Sequence, residues 1–191
     1  MKIEFIIPTY NRPKELITII SSIRCQTNDN WKIHVIADGV YDGYEDVKKM
    51  FSEDNKIKFS ELETNSNDWG HTPRNYGLEH ATEEWVVMTG DDNYYVPIFV
   101  DEFLKSSNFE DVNFVYCDMV HNWSSNEYVY LRTTPVLNNI DIGCYMTKTT
   151  LSKQLKLDTR MSNADGKFVM EYNQKFGNKT LKINKILYVH N

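Results

Sequence analysis

The chain has 191 residues, 41% of them hydrophobic and 25% charged, with a net charge of −6. This length suits one domain, and the composition excludes a disordered, collagen-like or low-complexity chain. The negative charge argues against a broad nucleic-acid groove, so no nucleic-acid partner is expected.

The three cysteines, Cys25, Cys117 and Cys144, are far apart and form no Cys-x-x-Cys pair. They read as free buried thiols in a reducing compartment, not as zinc ligands or a disulfide framework. The first apolar run contains Glu4 and is too short for a signal peptide. No stretch approaches the roughly 20 apolar residues of a membrane span. The expectation is a soluble, cytoplasmic domain.

Ile3 to Ile7 is an apolar run ended by Pro8, as expected of a strand buried on both faces. Pro13 suits a first helical turn, and Leu16, Ile17, Ile19, Ile20 and Ile23 mark one helix face. Trp31 to Ala37 reads as a second strand, Tyr44 to Phe51 as a second helix, and Ile57 to Leu62 as a third strand. A helix over Pro73 to Ala81 precedes a strand at Trp85 to Met88. A further helix spans Ile98 to Leu104, and Phe114-Val115-Tyr116 opens a fifth strand. This order predicts an α/β fold with a mixed, mostly parallel sheet flanked by helices.

From residue 117 to 146 the pattern changes. Tyr128 to Leu131 and Ile140 to Tyr145 suggest antiparallel strands or a loop excursion. A helix over Asp165 to Phe176 and a strand over Leu181 to Val189 close the chain.

Ligands of such sheets bind beyond the carboxyl ends of the strands. Polar residues cluster there. Gly90-Asp91-Asp92-Asn93 follows the fourth strand, and two adjacent carboxylates need a cation or hydrogen bonds. They suit a Mg²⁺ or Mn²⁺ ion on a diphosphate, and equally a helix cap. Asp38-Gly39 suits a hydrogen bond to a base or ribose, or a plain turn. After the first strand, Thr9 and Asn11 offer hydrogen bonds, Tyr10 a flat face and Arg12 a charge. Arg74, near a helix start, suits a diphosphate. Asp165 reads as a cap or a functional acid, and His190 as a metal contact or a terminal histidine without a role. No Gly-x-Gly-x-x-Gly or Walker sequence occurs, which disfavours dinucleotide redox chemistry and P-loop phosphoryl transfer.

Four segments, in order, resemble the family 2 glycosyltransferases, which have the GT-A fold. They are Ile6 to Arg12, Val35 to Asp42, Gly70 to Leu78 and Gly90 to Pro97; Asp165 to Phe168 and Tyr188 to His190 are also similar. The Asp-Asp-Asn-aromatic form is most similar to bacterial spore-coat members. The resemblance implies a metal-dependent, inverting transfer of a sugar from a nucleoside-diphosphate donor, usually a UDP-sugar, to a hydroxyl acceptor such as a glycan. It places Pro8, Thr9 and Tyr10 at the base, with Asp38 on the base edge. It places Arg74 at the diphosphate, Asp91 on ribose or sugar hydroxyls, and Asp92 on the Mn²⁺ or Mg²⁺. Asp165 would be the general base and His190 an extra metal or diphosphate contact.

Two departures stand out: Ala37-Asp38 replaces a pair of acids, and Asp91-Asp92-Asn93 replaces Asp-x-Asp. Residues 1–191 are expected to form one domain, with about 1–116 binding the nucleotide sugar and about 117–191 on the acceptor side. Trp123, Tyr128, Tyr130 and Tyr145 in the second part suit sugar stacking or core packing. The alternatives are a non-catalytic nucleotide- or carbohydrate-binding module of the same fold, or a nucleotidyltransferase. The latter would want a basic, glycine-rich loop after the first strand.

Overall fold

The structure is a computed structural model that describes residues 1–109, 111–122, 127–177 and 179–191. Trp123 lies outside the described residues. In the first half, strands β1 (Ile3–Thr9), β2 (Trp31–Ala37), β3 (Ile57–Glu61) and β4 (Trp85–Met88) alternate with helices α1 (Pro13–Arg24), α2 (Tyr44–Met50) and α3 (His71–His80). Then come β5 (Tyr94–Tyr95), α4 (Phe99–Ser106), β6 (Phe114–His121) and β7 (Val129–Leu131). A 3₁₀ turn at Ile142–Cys144 leads into β8 (Tyr145–Lys148), α5 (Thr149–Ser152), α6 (Ala164–Phe176) and β9 (Thr180–His190).

The strands form one sheet in the order β3-β2-β1-β4-β8-β6-β9-β5, with β7 paired to β6. β3, β2, β1 and β4 are parallel. Their central members are mostly apolar because both faces are covered; the polar exceptions include Glu4, which accepts from Thr82 N and Glu83 N, and His34, paired with Ser60. On one face of β1, Ile6 meets α3, where a Cβ on Gly77 would lie 2.5 Å from Ile6 Cγ2 and 2.8 Å from Ile36 Cδ1. Glycine thus lets α3 approach the sheet closely. Phe5 points to the opposite face, as strand alternation requires. Its ring lies 5.0 Å from that of Tyr95 and 5.9 Å from that of Phe99 in α4.

Several expectations need correction. β1 does not end before Pro8 but runs to Thr9, with Pro8 paired to Ile36 of β2. Pro8 fits because β4 pairs with β1 only as far as Ile6↔Met88, so no ladder partner is lost on that side. The sheet is mixed and mostly parallel, as expected: antiparallel β8 lies between β4 and β6, and β6 pairs in parallel with β9. Ile140 to Tyr145 is mostly turn. Asp141 caps it by accepting from Gly143 N at 2.8 Å, and the strand begins only at Tyr145. Cys117 and Cys144 are free and buried, but Cys25, at the carboxyl end of α1, is exposed. Tyr145 is core, whereas Tyr128 and Tyr130 are exposed. No described helix is long and apolar enough to cross a membrane.

Candidate active site

β1 and β4 run side by side and parallel, so the segments that leave their carboxyl ends emerge together. Those segments are Tyr10 to Arg12 and Gly90 to Asn93. With Asp38 from the end of β2 and the loop before α3, they wall a cleft of about 790 Å³. Pro8, Thr9, Tyr10, Arg12, Asp38, Arg74, Asp91, Asp92 and His190 all line it.

Asp91 is buried and held from two sides. Thr9 Oγ1 donates to its Oδ2 at 2.8 Å, and the Tyr10 backbone N–H also donates to it. Burial, reinforced by Asp92, pushes its carboxyl up to about 6. The Arg12 guanidinium pairs with both carboxylates, at 3.4 Å from Asp91 Oδ1 and more closely with Asp92. Arg12 is half-exposed, and Asp92 stands at the cleft surface. Asn93 is buried; its Nδ2 donates to Thr89 Oγ1 at 3.3 Å and its Oδ1 accepts from Asn191 N at 3.3 Å.

Arg74 is buried and spends two donors on backbone. Nε donates to Thr89 O at 3.0 Å and Nη1 to Trp69 O at 2.8 Å. Its fork joins the end of β4 to the loop before α3, with Nη2 on the side of Gly90. Asn75, next in sequence, exchanges hydrogen bonds with the Leu157 backbone at 3.0 and 2.8 Å and clips the segment after α5 to α3. Asp38 turns inward: its Oδ1 accepts from Ser66 N at 3.0 Å and Ser66 Oγ at 2.8 Å. That oxygen anchors the loop, and Oδ2, 3.5 Å from Asn65 Nδ2, is the less engaged of the two.

Asp165 does not line the cleft. It sits in the first turn of α6, where its Oδ1 accepts from Gly166 N at 2.7 Å. Burial, then the charge of Asp141, pushes its carboxyl up to about 6, while Arg74 opposes the shift. Asp141, whose charge acts on Asp165, itself contacts His190 of the cleft wall. It is 7% exposed. Its Oδ1 accepts from Tyr188 Oη at 2.7 Å and from Gly143 N, and its Oδ2 lies 3.4 Å from His190 Nε2.

The sequence reading missed Asp141 and the cleft-lining loop residues Asn65, Asn67, Asp68 and Trp69. Asn67 and Trp69 have φ of 48° and 59°. For a bulky residue such as Trp69 this conformation costs on the order of 1–3 kcal/mol and persists only where neighbours enforce it. Here Arg74 holds the Trp69 carbonyl. Asp68 accepts from Thr72 N and Oγ1 through Oδ2, at 2.9 and 2.6 Å, and so fixes the start of α3. The Asn-Asp-Trp-Gly sequence before the helix was the one visible signal.

The fold is a doubly covered α/β sheet with its polar cleft at the carboxyl ends of parallel strands, the arrangement of nucleotide-binding GT-A proteins. Residues 4–175 match glycosyl transferase family 2, and the chain belongs to that family. It is 29% identical over 132 residues to the uncharacterized glycosyltransferase RC0461 of Rickettsia conorii, covering 69% of this chain and 21% of that protein. The chain thus spans about a fifth of that relative's length. The crystal structure of the first 349 residues of Staphylococcus aureus TarS in complex with UDP-GlcNAc superposes with a TM-score of 0.80 at 21% identity, covering 100% of this chain and 59% of that one. The mannosyltransferase PcManGT of Pyrobaculum calidifontis, in complex with GDP-Man and Mn²⁺, gives 0.72 at 18% identity, covering 98% and 56%. These likenesses establish the GT-A fold.

Proposed function

We propose that this chain transfers a sugar from a nucleoside-diphosphate sugar, with UDP-sugars favoured, to a hydroxyl acceptor, probing the acceptor from its 117–191 side. The observation that carries this reading is the convergence of Pro8, Thr9, Tyr10, Asp38, Arg74, Asp91 and Asp92, from four separate segments, on one cleft. Family membership and the UDP-GlcNAc complex of TarS support it.

The base occupies the Pro8–Tyr10 and Asp38 end, and Arg74 lies toward the diphosphate. The cleft wall carries four carboxylates, Asp38, Asp68, Asp91 and Asp92, against two guanidiniums, Arg12 and Arg74. A diphosphate entering this acidic wall needs a cation. Asp92 fits such an ion: it offers a hard oxygen at the cleft surface, and its present partner Arg12 is exposed enough to leave. Asp92 would hold Mg²⁺ or Mn²⁺, with His190 as a second candidate ligand. The ion would supply Lewis-acid neutralisation of the leaving diphosphate.

Asp165 is the general base of an inverting transfer. It accepts the proton of the acceptor hydroxyl as that oxygen attacks the anomeric carbon and the bond to the diphosphate breaks. Arg74 adds positive charge on the leaving-group side. Hydroxyl acceptors, glycans among them, suit this chemistry.

Melting with UDP, GDP, CDP, ADP and dTDP, each with Mn²⁺ or EDTA, tests the donor site. A ligand at 100 times its dissociation constant adds about 2.7 kcal/mol, a visible shift. Turnover that releases free nucleoside diphosphate supports sugar transfer. Release of pyrophosphate would point to a nucleotidyltransferase, and no shift with any nucleotide would point to a non-catalytic module.

A further inference from the structure

We propose that Trp69 and Asp68 form a pyranose subsite where the donor cleft meets the acceptor-side lobe, with Trp69 stacking on the C–H face of the sugar ring and Asp68 accepting one of its hydroxyls. This deepens the nucleotide-sugar reading and rests on it.

Trp69 is 60% exposed although it lines the cleft. The chain holds this large apolar side chain in the open by a backbone conformation that tryptophan rarely adopts, and the buried Arg74 pins its carbonyl in place. Its location selects the ligand. The segment Asn65-Ser66 is bound to Asp38, at the base end of the cleft. Trp69 lies further along the same loop and is tied to Arg74, at the diphosphate end. On its far side, its ring is 6.1 Å from that of His71, whose Nε2 lies 2.9 Å from the Met161 carbonyl in the segment leading to Asp165. Trp69 thus presents an aromatic face beside the diphosphate end of the cleft, next to the residue that meets the segment leading to Asp165.

Asp68 supplies the second element. It is 6% exposed and lines the same cleft, and its Oδ1 has no hydrogen-bond partner among the described residues. Its other oxygen is occupied by Thr72. That oxygen is closed to solvent and unpartnered, a costly state, and a small turn of the Asp68 side chain toward the cleft would let a sugar hydroxyl satisfy it. An apolar aromatic face beside a carboxylate matches a pyranose, which has an apolar face and a hydroxylated rim.

Two sources share this chemistry, the donor sugar and an acceptor sugar. The test measures dissociation constants by calorimetry for UDP, UDP-glucose and UDP-N-acetylglucosamine, and for methyl β-glucoside with UDP present, in the full chain and in Trp69→Ala, Trp69→Phe and Asp68→Asn. Trp69→Ala is expected to weaken the UDP-sugars about tenfold while UDP changes less than about twofold, and Trp69→Phe recovers most of the loss. Asp68→Asn keeps an oxygen for Thr72 and is expected to show the same selective loss. Fluorescence gives an independent signature in a Trp123→Phe background, since the remaining tryptophans Trp31 and Trp85 are buried. The quenching by UDP-sugar beyond that by UDP should vanish in Trp69→Phe.

A loss confined to methyl β-glucoside places the subsite on the acceptor. Equal losses for UDP and the UDP-sugars would assign Trp69 to the base and overturn the subsite, as would no loss in any arm. Wild-type affinity for sugars in Asp68→Asn would remove Asp68 from it. If the unaltered chain bound no UDP at all, the nucleotide-sugar reading would fall instead.

Discussion

Asp165→Asn separates the chemistry of the proposed general base from its architecture. The amide keeps an oxygen for Gly166 N, which Asp165 Oδ1 accepts at 2.7 Å, but it cannot accept a proton at neutral pH. Turnover should fall by about 10²–10⁴-fold, the usual worth of general-base assistance, with donor affinity unchanged. The same substitution should stabilise the fold. Burial and Asp141 raise the Asp165 carboxyl from an ordinary 3.8 to about 6. A folded-state value above the unfolded one favours folding below about pH 4, and that benefit is lost as pH rises through about 6. Above pH 7 the ionised carboxylate therefore costs as much as about 3 kcal/mol, taking 1.36 kcal/mol per unit. Asparagine removes this cost, which for a domain of this size corresponds to a rise in melting temperature of several degrees at pH 7.5. The rise should shrink toward zero at pH 4. In the unaltered chain, kcat should climb with pH and reach half its plateau near pH 6. The assay is release of free UDP from the donor found by melting, paired with melting curves from pH 4 to 8. Normal turnover in the asparagine chain would remove Asp165 as the base, and a stability change independent of pH would refute the electrostatic reasoning.

Arg74→Lys should lose donor affinity and melt lower, because an ammonium cannot span both Thr89 O and Trp69 O. One buried carbonyl left unpaired costs about 1–3 kcal/mol, visible by melting. Asp92→Ala should abolish the Mn²⁺-dependent part of the melting shift with UDP; an unchanged Mn²⁺ dependence, measured by calorimetry, would place the ion elsewhere. Gly77→Ala should destabilise by about 1–3 kcal/mol without changing donor affinity, since its Cβ would press on Ile6 and Ile36 in the core.

The first half of the fold was legible because its strands are short apolar runs separated by helices with one apolar face, and each signal is local. Helix and strand boundaries there fell within a residue or two of the structure. In the second half α6, β9 and the antiparallel β7 were also legible, but β8 was not, for two reasons. β8 is four residues long and follows a turn whose residues are equally apolar. Its place between β4 and β6 depends on cross-strand partners such as Val86↔Thr147 and Phe114↔Thr147, which no local pattern encodes.

The candidate site shows the same division. Residues that leave the ends of β1, β2 and β4 were readable, because a parallel sheet sends those ends to one side and their polar sequences contrast with the strands before them. Asp141 was not readable. Its sequence surroundings look like a turn, and its role arises only when Tyr188, 47 residues later, donates to it and His190 approaches. A Cβ on Gly143 would lie 2.4 Å from the Tyr188 ring, so the turn that presents Asp141 exists only in this packing. Without Asp141, Asp165 reads as a helix cap. With it, Asp165 becomes a buried acid whose carboxyl is raised first by burial and further by the charge of Asp141. The proposed role of Asp165 as a base near neutral pH thus rests on packing and on a distant residue, and sequence separation conceals both.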